Sequence, residues 1–215
     1  MNYSEALDWL YSTQFFGIKL GLEGPRRLLR EYLAFPPRNT KVIHVAGTNG
    51  KGSTCAFIDS VARATGTRTG LFTSPHLIDY PERIRVSGME IERDDIALHL
   101  SSLREMVAQW DPHPTFFEIS LALAMKYFSE RQCELVILET GMGGRLDATS
   151  AIPADIAVLT PIGMDHQEWL GETLTDIAAE KAAIIVPGKN VISSNQLPEA
   201  DAIIRQIANE RRAPL

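Results

Sequence analysis

A glycine-rich segment between an apolar run and a helical stretch constrains this sequence most. The segment Gly47-Thr48-Asn49-Gly50-Lys51-Gly52-Ser53 follows the apolar run 42–46 and precedes a helix predicted at residues 53–65. Glycines let the backbone curl so that successive N–H groups point at one anion, while the helix N-terminus and a lysine add positive potential. The pattern predicts a strand, a phosphate-binding loop and a helix. The alternative is a plain glycine turn with an incidental lysine.

The rest of the chain repeats an apolar run, a short loop and a helical stretch, which is typical of an α/β fold with a mostly parallel sheet flanked by helices. Parallel strands are predicted at 42–46, 68–72, 135–139, 156–160 and 190–193. Helices are predicted at 4–11, 25–35, 53–65, 93–109, 116–131, 173–185 and 198–212. Residues 73–91 break this pattern, so we expect a functional loop and a small antiparallel excursion near residues 83–91, outside the main sheet.

Composition narrows the class of protein. With 215 residues, 45% of them hydrophobic, the chain can bury a substantial core in one large domain. A net charge of -6 argues against a broad nucleic-acid surface, although Arg83, Arg85 and Arg145 are candidates for a local patch that binds an anionic small molecule. No secretory signal or membrane span is predicted. Cys55 and Cys133 form no CxxC pair, so we expect buried free thiols and a cytoplasmic location.

An acidic residue ends one of the predicted strands. Glu139 follows the apolar run 135–138 and precedes a glycine turn, so a parallel strand would deliver it to the same sheet edge as the phosphate loop. A carboxylate there can bind Mg2+ together with substrate phosphates; alternatively it caps the following turn. Ser53 or Thr54 would supply a hydroxyl near the phosphates, since Gly52 occupies the place where the standard P-loop has serine or threonine.

Four other side chains have two readings from the residues alone. His166 follows the strand predicted at 156–160 and is either a metal ligand or a satisfied loop residue. Lys181 lies in the helix predicted at 173–185 and is either functional or paired with an acid of its own helix. Phe116 and Phe117 either border a flat ring or pack as plain core.

Several segments together resemble the folylpolyglutamate synthase/dihydrofolate synthase family of the Mur ligase superfamily. The form GTNGKGS at 47–53 resembles the superfamily loop, and ETGMGGRLDATSAI at 139–152 resembles the family's second signature. TSPHL at 73–77 and MDHQEWLG at 164–171 match in the same order. The resemblance implies that ATP is bound by Gly47, Thr48, Asn49, Gly50, Lys51, Gly52, Ser53 and Thr54.

The resemblance also implies a two-magnesium ligase site. Its metal ligands would be Ser74, Glu139 and His166. Lys181, in the segment AEKA, corresponds to a lysine that is carbamylated by CO2 and positions the second Mg2+. The implied catalytic residues are Lys51, Lys181 and His166.

The acceptor site is implied by further matches. LGLE at 20–23 resembles the segment that holds the pteroate part of the acceptor, although Gly24 and Pro25 stand where an arginine is usual. The substrate-binding residues implied by the resemblance are Leu22, Glu23, Pro75, His76, Arg83, Phe117, Glu118, Arg145 and Asp147.

The implied reaction passes the γ-phosphoryl group of ATP to the carboxylate of dihydropteroate or a folate, and L-glutamate then attacks the acyl phosphate. We expect residues 1–215 to be an incomplete N-terminal ATP-binding domain without the C-terminal glutamate ligase domain, acting as a monomer with no nucleic-acid or membrane partner. Two alternatives remain open: a Mur-type ligase that acts on UDP-muramyl precursors, and a nucleotide-binding fragment that is inactive on its own.

Overall fold

The computed structural model of the protein describes residues 1–17 and 21–215. Its strands are β1 Lys41–Ala46, β2 Thr69–Phe72, β3 Ile84–Val86, β4 Met89–Glu90, β5 Leu135–Glu139, β6 Ile156–Leu159 and β7 Asn190–Ser193. Its α-helices are α1 Tyr3–Ser12, α2 Glu23–Glu31, α3 Lys51–Ala64, α4 Arg93–Val107, α5 Phe116–Glu130, α6 Gln167–Leu170, α7 Leu174–Ala182 and α8 Pro198–Glu210. Short 3-10 helices lie at Thr13–Phe16, Tyr80–Arg83 and Ala148–Ala151.

The strands form one seven-stranded sheet in the order β4-β3-β2-β5-β1-β6-β7. The neighbours among β2, β5, β1, β6 and β7 pair in parallel, which confirms the five predicted parallel strands. β3 and β4 pair antiparallel, which confirms the predicted excursion near residues 83–91. The expectation that this excursion lies outside the main sheet was wrong, because β3 pairs with the edge of β2 and satisfies its backbone hydrogen bonds.

The seven predicted helices are all present, and their ends lie within three residues of the prediction except at the end of α2. That helix ends at Glu31 because Leu33 adopts a left-handed backbone conformation with φ 52°. Thr115 and Thr173 each cap a helix through a reciprocal pair of hydrogen bonds with the acid three residues later. The four-residue helix α6 was not predicted, because it is too short to show a helical period.

Alternation along the central strands assigns side chains to the two faces of the sheet. On one face Val136 packs in the core formed with α5, and Leu159 packs in the cluster formed with α7 and α8. On the opposite face Ile137 packs with Cys55 of α3. Glu139 lies two residues after Ile137, so the strand directs it toward the side of α3.

Both cysteines are buried free thiols, as predicted. Burial raises the pKa of the Cys133 thiol to about 11, so the thiol is protonated at neutral pH. Across residues 1–17 and 21–215, no helix combines the length and apolar character needed to cross a membrane.

A chain of buried polar groups joins β1 to the turn after β5. The Thr149 hydroxyl donates to the carboxylate of Asp147, so the hydroxyl oxygen is free to accept a hydrogen bond from His44 Nε2, 2.6 Å away. The same carboxylate accepts the backbone N–H groups of Gly141 at 3.0 Å and Met142 at 2.9 Å. Burial lowers the pKa of His44 to about 4, so the imidazole is neutral in the folded protein.

A glycine lets the turn after β5 approach α7. A Cβ placed on Gly144 would lie 2.7 Å from the carbonyl oxygen of Glu180 and 2.9 Å from that of Lys181. The N–H of Arg145 donates to the same Glu180 carbonyl at 2.9 Å. This contact sets the distance between the turn and the helix that carries Lys181.

We expect the free energy of unfolding to fall as the pH drops from 6.5 toward 4. In that window His44 binds a proton in the unfolded state, where its pKa is the ordinary 6.5, but stays unprotonated in the folded state. The loss can reach about 3 kcal/mol. Urea titrations at pH 7, 6, 5 and 4.5 should show a shallower pH dependence for His44→Asn than for the unchanged protein; parallel curves would show that His44 does not contribute.

We expect Gly144→Ala to lower the free energy of unfolding by about 1–3 kcal/mol, because backbone atoms must move to admit the methyl group. Urea unfolding at pH 7 measures the change. Gly163→Ala is the matched control, since a Cβ at Gly163 meets no atom within 4 Å. Equal stability of both variants would contradict the role given to the Gly144 contact.

Candidate active site

The carboxyl ends of four neighbouring strands bring the candidate residues to one edge of the sheet. In spatial order β2, β5, β1 and β6 lie side by side, and they lead into Ser74, Glu139, Gly47 and Pro161. Ligand sites of open parallel sheets form at this edge, where successive loops diverge. The main candidate residues therefore lie at the edge of the sheet that was predicted from the sequence.

The segment after β6 supports the phosphate loop through hydrogen bonds. The N–H groups of Thr48 and Asn49 donate to the Pro161 carbonyl at 3.0 and 3.3 Å. Gly47 has φ 152°, and a Cβ there would overlap the side chain of Thr160, so this position requires glycine. The loop is thus shaped by its neighbour in the sheet as well as by its own glycines.

Lys51 begins α3 and folds back over the loop. Its Nζ donates to the carbonyl oxygens of Gly47 at 3.1 Å and Thr48 at 3.2 Å. Gly50 precedes the helix with a left-handed φ of 80°. Ser53 is exposed and Thr54 half-buried in the first turn, beside Gly52. The arrangement places one cation and the first turn of a long helix at the same point, which suits a polyphosphate.

Glu139 lies between the phosphate helix and the loop after β2. Its Oε2 accepts the backbone N–H of Ser74 at 3.0 Å, and a Cβ on Gly52 would lie 3.5 Å from both carboxylate oxygens. Glu139 is 5% exposed, and burial raises its pKa, although the Ser74 N–H and the charge of Lys51 act in the opposite direction. The backbone of the next turn is capped by Asp147 and not by Glu139.

Lys181 reaches the phosphate loop from α7. It is 2% exposed, and its Nζ donates to the Gly47 carbonyl at 3.0 Å. Burial and the nearby charge of Lys51 lower the pKa of Lys181 to about 8. Burial excludes the alternative of a solvated lysine. The acids of its own helix have other partners, since Glu180 pairs with Arg145 and Asp176 accepts a hydrogen bond from Thr173.

His166 lies in the loop between β6 and α6, which starts at the same edge of the sheet. It precedes α6 with a left-handed φ of 46°, its side chain is 51% exposed, and its Nε2 lies 3.5 Å from Asp165 Oδ1. In the described part of the chain, no three His, Cys, Asp or Glu side chains form a group that could hold a metal ion. The predicted ligands brought into contact are Glu139 and Ser74.

A cavity of about 360 Å³ opens beside the turn after β5. Phe117, Glu118 and Asp147, three predicted substrate-binding residues, line it. Other lining residues were not predicted as substrate contacts: Gln14, Gly17, Thr115, Gly141, Met142, Leu146 and Ala148. Met142 and Leu146 lie within residues 139–152, the segment that resembles the family's second signature, and could have been found from it. Gln14 carried no sequence signal.

The two carboxylates that line this cavity already accept hydrogen bonds from protein groups. Glu118 Oε2 accepts the Thr115 N–H at 2.6 Å and caps α5. Asp147 accepts N–H or O–H groups from Gly141, Met142 and Thr149. Both acids therefore organise the cavity walls through bonds within the protein.

Of the predicted N-terminal acceptor residues, Glu23 lies at a second cavity. Leu22 precedes α2, and Glu23 begins it and lines a cavity of about 750 Å³ next to Gly21. Glu118 lines both cavities. Leu20, the first residue of the predicted LGLE segment, lies outside the described residues.

The three arginines predicted as a basic patch engage separate acceptors. Arg85 pairs with Glu90 at the antiparallel edge, and Arg145 pairs with Glu180 of α7. Arg83 is buried and donates through Nε to His76 Nδ1 at 2.7 Å. Pro75, exposed, separates His76 from Ser74 in the loop after β2.

Comparison with curated proteins finds close relatives along nearly the whole chain. A dihydrofolate synthase/folylpolyglutamate synthase of Bacillus subtilis (strain 168) is 40% identical over 217 residues, covering 99% of this chain and 50% of the relative. The Escherichia coli (strain K12) protein of the same name is 42% identical over 210 residues, covering 97% of this chain and 48% of the relative. The chain thus spans about half the length of the relatives it matches.

Solved structures share the fold. An FPGS-AMPPCP complex superimposes with a TM-score of 0.92 at 33% identity, covering 100% of this chain and 53% of that chain. Escherichia coli FolC in complex with DHPP and ADP gives a TM-score of 0.87 at 38% identity, covering 98% of this chain and 50% of that chain. The sequence model of the Mur ligase middle domain matches residues 45–212. This match covers most of the chain and begins in β1, the strand that leads into the phosphate loop, so the chain belongs to the Mur ligase middle domain family.

Proposed function

We propose that residues 1–215 form the nucleotide-binding half of an ATP-dependent ligase that joins L-glutamate to dihydropteroate or a folate. One observation carries the proposal: a phosphate loop with Lys51, a buried acid at Glu139 and an aromatic-walled cavity meet at one sheet edge. The relatives carrying the name folylpolyglutamate synthase support the substrate class, and the complexes with AMPPCP and ADP support the nucleotide.

ATP phosphates would lie over the segment from Gly47 to Thr54. The N–H groups at the start of α3 and the ammonium of Lys51 would then stabilise the negative charge that accumulates during phosphoryl transfer. The bonds of Lys51 to the loop carbonyls hold its side chain in place before a nucleotide binds. This preorganisation supports a role of the loop in catalysis as well as in binding.

The oxygen donors present suit magnesium. Glu139 lies beside the first turn of α3 and accepts the Ser74 N–H, and both residues carry hard oxygen donors. Mg2+ is usually held by one or two protein oxygens together with substrate phosphates and water. Such an ion would neutralise part of the phosphate charge. We propose Glu139 and Ser74 as ligands, with His166 joining from the loop before α6 and two ions in all.

Lys181 suits carbamylation by CO2. Its lowered pKa, about 8, leaves part of the amine uncharged, and the uncharged amine is the form that attacks CO2 and releases a proton. The product would be an anion beside Lys51, so a repulsion between two ammonium groups would become an attraction. We propose that carbamylated Lys181 contributes an oxygen donor for the second magnesium.

The acceptor would occupy the cavity lined by Phe117. Its carboxylate receives the γ-phosphoryl group from ATP, which leaves ADP and an acyl phosphate, and the amino group of L-glutamate then displaces phosphate to form the amide. Both transfers build negative charge, which Lys51 and the loop N–H groups stabilise. The aromatic wall of Phe117 and Phe116 offers a flat surface for a pterin or benzoyl ring.

The proposal also covers the cellular location, the oligomeric state and the partners of the protein. The buried free thiols suit a reducing compartment, so we propose the cytoplasm. We propose a monomer whose partners are ATP, L-glutamate and the acceptor. The net charge of -6 supports small-molecule partners over nucleic acid.

We expect Lys51→Ala to lower turnover by about a hundredfold or more, judged from the removal of single charge-stabilising groups. The measurement is ADP release with dihydropteroate and L-glutamate present, together with calorimetric titration of Mg2+-ATP. Lys126→Ala is the control, since Lys126 pairs with Glu130 on α5.

Near-normal turnover of a full-length enzyme that carries Lys51→Ala would contradict the assignment. ATP binding without turnover in the unchanged chain would favour the fragment that binds nucleotide but is inactive alone. ADP release triggered by a UDP-muramyl precursor and not by dihydropteroate would favour the other Mur-type ligase.

We expect a carbamate on Lys181 when the protein is equilibrated with 13C-labelled bicarbonate. Carbon-13 NMR should show a carbamate resonance that grows between pH 7 and pH 9, because deprotonation supplies the reactive amine. The resonance should be missing in Lys181→Met and retained in Lys126→Met. A spectrum without a carbamate signal, or one unchanged in Lys181→Met, would count against carbamylation.

A further inference from the structure

Arg83 is a buried cation whose guanidinium bonds to a histidine. The residue is 8% exposed, and no carboxylate of residues 1–17 and 21–215 forms an ion pair with its guanidinium. Burial of a charge is costly unless an opposite charge or strong hydrogen bonds compensate it. Burial does lower the pKa of Arg83, but arginine stays charged in proteins. The guanidinium is therefore suited to a bound anion.

The acid next to Arg83 in the sequence is committed elsewhere. Glu82 accepts the backbone N–H groups of Leu77 at 2.8 Å, Ile78 at 2.7 Å and Asp79 at 2.8 Å. These bonds hold the Glu82 carboxylate against the loop after β2. Glu82 therefore shapes the loop and does not pair with Arg83.

Arg83 lies close to a wall residue of the acceptor cavity and interacts electrostatically with an acid of the phosphate site. Its guanidinium carbon lies 5.1 Å from the ring centroid of Phe116, a wall residue of the cavity. It also interacts electrostatically with Glu139, which lies against the first turn of α3. A carboxylate that projects from the cavity toward the phosphates would meet Arg83.

His76 holds the guanidinium in this position. Arg83 Nε donates to His76 Nδ1 at 2.7 Å, so this ring nitrogen carries no proton and the proton of the neutral imidazole lies on Nε2. His76 Nε2 lies 3.5 Å from the hydroxyl of Tyr11. Because Nε is used by His76, the two terminal nitrogens of Arg83 remain for a ligand, and their fork matches a carboxylate.

We propose that Arg83 binds the acceptor carboxylate that is to be phosphorylated, and that His76 is a positioning residue that orients the guanidinium through Nδ1. The proposal rests on the proposed function, since it assigns one part of the acceptor to one residue of that site. It separates the anion sites of the two substrates: Lys51 serves the ATP phosphates and Arg83 serves the acceptor carboxylate.

The test compares two probes in calorimetric titrations of the 215-residue chain: pteroate, and pteroate carboxamide, which lacks the negative charge. We expect the unchanged protein to prefer pteroate by about tenfold to a hundredfold, as for a charge-assisted hydrogen bond. Arg83→Met should lose this preference, and Arg83→Lys should retain part of it. Arg85→Met is the matched control and should keep the full preference, because Arg85 pairs with Glu90.

A second pair of variants tests the positioning role of His76. Asparagine can offer an oxygen acceptor near the place of Nδ1, whereas leucine cannot. We expect His76→Leu to reduce the preference for pteroate over its amide, and His76→Asn to restore most of it. Thermal melts of all variants check that they fold. Equal effects of the leucine and asparagine variants would overturn the positioning role.

The outcomes separate this inference from the function on which it rests. If the unchanged protein binds neither pteroate nor its amide, the proposed function and this inference are both overturned. If it binds pteroate and Arg83→Met keeps the preference, the inference alone is overturned. If Arg83→Met instead weakens ATP binding and leaves pteroate binding unchanged, Arg83 serves the nucleotide phosphates and the assignment to the acceptor is wrong.

Discussion

The hydrogen bond from Lys181 to the Gly47 carbonyl joins the two halves of this site. One partner lies in α7, in the last third of the chain, and the other lies directly after β1. The bond requires that α7 approach the sheet closely, which Gly144 permits through its backbone contact with Glu180 and Lys181. It also brings a second cation to a loop that already holds Lys51. The edge of the sheet is thus built to receive negative charge.

Charge at this edge is distributed in a consistent way. The acids Asp147 and Glu82 are saturated by backbone N–H groups and serve to shape loops. Glu139 accepts a backbone N–H from Ser74 and interacts with that of Gly52, beside the phosphate helix. The cations Lys51 and Arg83 bond to neutral acceptors, so their charges are available to ligands. An anionic substrate would complete this arrangement.

Much of the fold could be predicted because the five parallel strands are short apolar runs bounded by polar or glycine positions. The pairing of β3 with β2 could not, since it depends on which strand edge is left uncovered. His44 was missed for a related reason. It lies inside an apolar run, and its polar partner Thr149 is 105 residues away, so local pattern carries no sign of their contact. Asp147 was predicted as a substrate contact, but its bonds within the turn were not foreseen.

The sequence by itself determined the phosphate loop, the parallel sheet and the place of Glu139 at the end of a strand, because these depend on local chemistry and on the period of a β-strand. Only the tertiary structure decided between the readings of Lys181, since burial against the Gly47 carbonyl depends on how α7 packs. It likewise decided that Arg83 bonds to His76 while Arg85 and Arg145 pair with acids. Partners distant in sequence come together only when the sheet and its helices are assembled.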